Sequence, residues 1–299
     1  MELNKTGIKI LDIIVKGANN REKISKALDL SKTWVSDNLS KLEKLKFIKK
    51  NRKRTVYVEL SETSFAQEFK NMLENNTNIK FEDFLYGLNF RILSYCLFDW
   101  KNSKNIANGL NLNKKTIWNR LIVLTSRGLL TKKRYYYLTN QRAWPILYRF
   151  LEKYRMFYLG KGEVLWRFED ELIFRVNREE DVKGSLTGFS QYPRLRIGIM
   201  GYKYCCYLPR KRLNKEEIFI HSILEIHDSR ELMLALVFYL KYKLNKKKLE
   251  DLAMKYDCSK KLEDLRRILK QEKTEIFSFI KEKELKEFFG RYKAKWKRN

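Results

Sequence analysis

The chain reads as an α+β protein, mainly α, with two similar helical units followed by an α+β C-terminal region. Three observations carry that reading. Apolar residues recur at helical spacing through most of residues 1–155, broken by short alternating runs. The apolar skeleton then returns after a shift of 82 residues: Ile10, Leu11, Ile24, Leu28, Leu30, Leu39 and Leu42 fall on Ile92, Leu93, Ile106, Leu110, Leu112, Leu121 and Leu124. After Leu159-Gly160-Lys161-Gly162 the texture changes to alternating apolar and charged residues. The expected domains are therefore 1–76, 77–155 and 156–299.

In the first unit, residues 7–16 form a helix with Ile8, Leu11, Ile14 and Val15 inward. Two more helices follow over 21–30 and 31–42, joined tightly, with Ile24, Leu28, Val35, Leu39 and Leu42 as their apolar stripes. Ser31 stands where a helix N-cap is wanted, its hydroxyl able to accept a backbone N–H. The opposite face of the third helix shows Lys32, Thr33, Ser36, Asp37 and Lys41. Phe47 to Leu60 reads as a β-hairpin with a basic tip, and 61–76 as a capped linking helix. In the second unit, Phe81 to Trp100 supplies the first helix, with Phe81, Phe84, Leu85, Leu88, Ile92, Leu93 and Leu97 on one broad face. Asn113 to Leu121 matches the third helix of the first unit. Thr131 to Thr139 is its hairpin, about two residues shorter, and Arg142 to Arg155 closes the unit with Pro145 in a first turn where its missing N–H costs nothing.

A helix-turn-helix followed by a basic hairpin resembles a winged helix. Two in tandem are similar to transcription regulators of the MarR and ArsR type found in archaea and bacteria. The resemblance covers roughly residues 1–155 and implies double-stranded DNA as partner, with the third helix of each unit in the major groove and the hairpin on the backbone or minor groove. In the first unit, Lys32, Thr33, Ser36 and Asp37 then face base edges, with Trp34 and Lys41 nearer the backbone. In the second, Lys114, Lys115, Trp118 and Asn119 match, flanked by Thr116 and Arg120. Asn and Lys pair with purine edges, while tryptophan packs on thymine methyls or sugars; packing between the two units is the other role open to Trp118. The hairpins add Arg52, Lys53 and Arg54, and Lys132, Lys133 and Arg134, suited to phosphate or a narrow minor groove.

In the C-terminal region, 163–168 and 171–176 read as a hairpin, 185–191 as a short helix, and 197–200 and 202–208 as strands. Helices are expected at 214–226, 229–243, 246–256, 259–271 and 274–292. Ser229 to Leu240 is apolar almost all round, so it must be buried on several sides, within its own domain or against a second copy. Gly184-Ser185 faintly resembles the turn of the nucleotidyltransferase fold. That fold needs two metal-binding carboxylates on the next strand, and Ile197-Gly198-Ile199-Met200 holds none. His221, between Ile220 and Ser222, reads as a structural histidine. The basic, aromatic tail Arg291 to Arg298 is a solvated end or a backbone-contacting arm.

Composition narrows the classes further. The formal charge is +28: residues 1–76 contribute +6, 77–155 contribute +11 and 156–299 contribute +11. The excess is densest in the second unit, and a positive field of this size raises encounter rates with polyanions. The four cysteines form no C-x-x-C pair and the two histidines have no ligand-like spacing, so neither a metal site nor any other cofactor is expected. The longest apolar run of the C-terminal half, Leu232 to Leu240, is too short for a bilayer. No apolar leader opens the chain. The sequence thus predicts a cytoplasmic, nucleoid-associated DNA-binding regulator without catalytic activity, whose C-terminal domain dimerises, senses a ligand or contacts the basal transcription machinery. The competing readings are an antitoxin-like or scaffold protein with a degenerate nucleotidyltransferase-like domain, and an RNA-binding protein.

Overall fold

Short polar residues set where the helices begin. The computed structural model describes residues 3–52, 56–157, 162–199, 201, 203–278 and 280–296. Asn4, Asn20 and Ser31 accept backbone N–H groups at the starts of α1 (Lys5–Val15), α2 (Arg21–Leu28) and α3 (Lys32–Lys44), satisfying donors that a helix leaves open. An antiparallel hairpin follows, β1 (Ile48–Arg52) with β2 (Val56–Leu60), and then α4 (Ser64–Glu74). The second half runs α5 (Gly87–Tyr95), β3 (Lys101–Asn102), α6 (Ser103–Gly109), α7 (Lys114–Ser126), β4 (Leu130–Lys133), β5 (Tyr136–Thr139) and α8 (Pro145–Arg155). Pro145 opens α8 at its first turn. Phe81 to Trp100 is not one long helix. Phe81–Asp83 is a 3₁₀ turn, and Gly87, at φ +51, separates it from the main run.

The backbone repeats with the spacing of the apolar skeleton. α3 and α7 are each 13 residues long and begin at Lys32 and Lys114. Left-handed residues recur at Asp29 and Asn111 before these helices, and at Lys46 and Gly128 after them. Asn20 caps α2 and bridges Tyr57, while Asn102 caps α6 and pairs with Tyr136. The second hairpin is three residues shorter between closing pairs, Leu130–Thr139 against Ile48–Leu60.

Residues 1–157 form one compact unit and 158–299 another. The expected boundary at 76/77 lies inside the first of these, because α4 packs on α8 and the two halves share an aromatic core. Phe47, at the base of the first hairpin, lies 6.2 Å from both Phe150 and Tyr154 of α8 (ring centres); Phe69 lies 5.0 Å from Phe150, and Phe90 lies 5.0 Å from Tyr154.

In the second unit, β6 (Glu163–Phe168), β7 (Glu171–Val176), β8 (Ser185–Leu186) and β9 (Tyr204–Leu208) form an antiparallel sheet in the order β6-β7-β9-β8. Two expectations fail here. Residues 185–191 are the edge strand β8 and a 3₁₀ turn rather than a helix, and the described residues 197–199 are not a strand. With β7 on one side of β9 and β8 on the other, 197–199 has no place beside β9; Ile197 instead donates its N–H to the Tyr192 carbonyl at 2.9 Å. Helices α9 (Lys215–Glu225), α10 (Ser229–Lys241), α11 (Lys246–Lys255), α12 (Ser259–Leu269) and α13 (Glu282–Arg291) complete the unit. The last begins later than expected, because residues 274–277 wrap the buried Asp264, which accepts the backbone N–H groups of Glu275, Ile276 and Phe277. α10 is buried within this unit from Leu234 to Phe238, with Phe238 stacked on Tyr192. Among the described residues, no helix is long and apolar enough to cross a membrane.

Candidate nucleic-acid interface

The outer face of α3 presents the polar residues that the helical spacing put there. Lys32, Thr33, Trp34, Asp37 and Lys41 are exposed and Ser36 is half-buried, while Val35, Leu39 and Leu42 point inward. Asn38 is buried too: it donates to the Trp34 carbonyl and accepts from the Asn4 side chain, both at 2.9 Å, which ties α3 to the start of α1. Much of the positive charge here is answered within the fold. Lys32 pairs with Glu22 at 2.6 Å, Lys50 with Glu43 at 3.1 Å and Lys49 with Glu62 at 2.9 Å. Lys41 leans toward the Trp34 ring, 6.0 Å from its centre. Of the first hairpin's candidates, Lys53 and Arg54 lie outside the described residues; Arg52 ends β1, and only its backbone is described.

The second half is different in kind. Lys114, Lys115, Thr116, Trp118, Asn119 and Arg120 are all exposed on α7, over the inward stripe Ile117, Leu121 and Leu124. Lys132, Lys133 and Arg134 are exposed on the hairpin β4–β5, and Lys132 Nζ lies 5.8 Å from the centre of the Trp118 ring, which joins hairpin to helix. Trp118 is 46% exposed and is therefore not packing between the halves. Among the described residues, no carboxylate pairs with any of these six cations. The reason is in the sequence, which has no Asp or Glu between Asp99 and Glu152.

Residue-by-residue reading missed part of this surface. Tyr135 and Tyr136 are exposed at and beside the hairpin tip, and Ile122 and Val123 are exposed one turn beyond Trp118. The signal was available for the tyrosines, since Tyr135-Tyr136-Tyr137 must alternate across the strand, and only Tyr137 turns inward. Tyr57 holds the corresponding exposed place on β2.

The second unit has a buried polar layer between sheet and helices. His221 Nδ1 meets the Thr187 hydroxyl at 2.7 Å, and its ring stacks on Tyr207 and meets Tyr256 edge-on. Burial holds its pKa well below 6.5, and so holds it neutral. Burial also raises the Glu225 carboxyl to about 8, although the Phe189 N–H donates to it at 2.9 Å. Gly188 is required beside it: at φ +53, a Cβ there would sit 1.7 Å from Glu225 Oε1. The strand after Gly184-Ser185 is β9, Tyr-Cys-Cys-Tyr-Leu, also without a carboxylate. No group of three or more His, Cys, Asp or Glu among the described residues is placed to hold a metal ion. No family model matches the chain, and no curated protein matches it in sequence.

Proposed function

We propose that the chain is a double-stranded DNA-binding transcription regulator built on tandem winged helices of the MarR/ArsR-like type. The observation that carries this reading is the set of unpaired cations on α7 and the hairpin β4–β5, in a stretch without a single acid. A polyanion is the partner that such a surface leaves to be satisfied, because each phosphate neutralised releases counterions. The exposed N-terminal turns of α7 and α3 offer Lys114, Lys115 and Asn119, and Lys32, Thr33, Ser36 and Asp37, to base edges; the hairpins hold phosphates and fix register. The two faces carry different residues, so the site they read has unlike halves. The unit formed by residues 158–299 then serves association, sensing or contact with the transcription machinery.

The test is a selection on randomised duplexes with the full chain, followed by anisotropy titrations of the recovered sequence across a salt series. The reading requires a recovered motif and a log–log slope that Lys132→Ala, Lys133→Ala and Arg134→Ala together flatten. No motif and a flat salt response would sink it.

A further inference from the structure

The hairpin β4–β5 carries more than a phosphate clamp needs. Its two-residue turn is Arg134-Tyr135, and Tyr135 is 76% exposed at the very tip. Tyr136 is exposed beside it, and Trp118 faces solvent across from Lys132. At the places of the first half that match Trp118 and Ile122 stand Ser36 and Ser40; the first half exposes Trp34 and Tyr57 instead, so the pairing of Trp118 with Ile122 on one helix face is particular to the second half. Intact duplex DNA offers phosphates and base edges and keeps its base faces inside the stack. Flat rings interleaved with cations match what it hides. An acidic peptide answers the charge but leaves three exposed rings without flat partners. A DNA strand with unpaired bases answers both.

We infer that α7 and the hairpin β4–β5 bind DNA where bases are unpaired, with Tyr135 entering the junction between paired and unpaired strands and Trp118 stacking on an extruded base. This rests on the reading of the same surface as DNA-binding. Lys132, beside the Trp118 ring, is placed to neutralise the phosphate of the base stacked there. Apolar side chains inserted between base steps act as wedges, and such insertion costs least where pairing is already lost; Tyr135 at the hairpin tip is placed for it. Each stacked base contributes about tenfold or more in affinity.

The experiment uses the full chain and three labelled probes: a duplex, the same duplex with a short central bubble, and the bubble made in RNA. A 2-aminopurine in the bubble reports stacking by its quenching. The DNA bubble is expected to bind about tenfold tighter than the duplex, with quenching. Tyr135→Ala should remove most of that preference while leaving duplex affinity within about twofold, since phosphate contacts carry the duplex term; Trp118→Ala should abolish the quenching and weaken the bubble more than the duplex. Lys133→Ala, which removes a charge and no ring, should weaken both DNA probes alike. Equal affinity for duplex and bubble, or variants that weaken both equally, overturns the inference and leaves the duplex-binding reading standing. Bubble binding without duplex binding does the reverse. Tighter binding to the RNA bubble overturns the assignment to DNA.

Discussion

The two halves of the first unit share a backbone and differ in how they manage charge. α3 and α7 have the same length, the same start relative to the repeat and the same left-handed residues before and after. Yet Lys32, Lys49 and Lys50 are held by Glu22, Glu62 and Glu43, while no carboxylate of the described residues pairs with Lys114, Lys115, Arg120, Lys132, Lys133 or Arg134. Fold and charge display are therefore separable properties of one repeat. The buried positions keep the backbone, and the exposed ones are free to diverge. A half whose cations are already paired releases fewer counterions on DNA, so the two faces should contribute unequally to affinity.

The largest expected effect tests whether the halves are independent at all. Phe150→Ala empties a ring position in contact with Phe47, Phe69 and Phe90, and should cost about 3–5 kcal/mol in chemical denaturation. If the halves are one cooperative body, probes in each lose stability together; separate transitions would break the shared-core account. Next comes the charge contrast. Changing Lys132, Lys133 and Arg134 to alanine should flatten the salt slope of duplex binding by up to about three units, near one per lost contact. Changing Lys32, Lys49 and Lys50 should flatten it by about one or less, because those charges are answered at home. Equal slopes would erase the distinction.

A smaller effect comes from one pair of matching positions. Asp37 and Asn119 occupy the same place in the repeat, both exposed. Asp37→Asn exchanges an acceptor-only carboxylate for an amide on the face proposed to read base edges, and should shift the preferred base at one position more than it changes overall affinity. Asn119→Ala should instead relax preference at one base pair, by about 1–3 kcal/mol. A recovered motif that is the same for wild type and Asn119→Ala would remove that residue from base reading.

The smallest effect is a control outside both halves. Glu225, raised by burial to about 8, holds a proton in the fold that the unfolded chain gives up near 4.5, so its contribution to stability falls as pH rises from about 4.5 to 8. His221, depressed by burial, works the other way: the unfolded chain binds its proton first, so stability rises with pH up to about 6.5. The two slopes oppose below 6.5, and only the loss between 6.5 and 8 is left uncompensated. Glu225→Gln should abolish that loss in thermal melts of the unit at 158–299, and should leave melting of residues 1–157 unchanged. A wild-type melting temperature that stays level from 6.5 to 8 would contradict the assignment.

What could be read from the sequence was whatever local chemistry controls. Ser31 caps its helix, the alternation at 163–176 gives a hairpin, and the apolar spacing places the inward faces. The failures are cases where a neighbour decided. Residues 197–199 have strand-like composition, but β8 already holds the free edge of β9. The helix expected from 274 is displaced by one buried carboxylate, Asp264. At the surface, totals over whole segments blurred the useful signal, which was the absence of acids between Asp99 and Glu152 rather than the sum of charges. Exposure of Tyr135 depended on the hairpin closing at Lys133–Tyr136, a register set by the turn.

The stacking of Phe47 on Tyr154 has a consequence for the proposed choice of DNA site. Two reading heads on a loose tether accept a range of separations, and their joint affinity follows the effective concentration that the tether allows. Here the base of the first hairpin is locked against the helix that follows the second hairpin. If the two halves are DNA-reading heads, as proposed, the distance and rotation between them are fixed before any target is met. Inserting or deleting a single base pair between the two half-sites should therefore be punished as a lost helical phase, and not absorbed as slack.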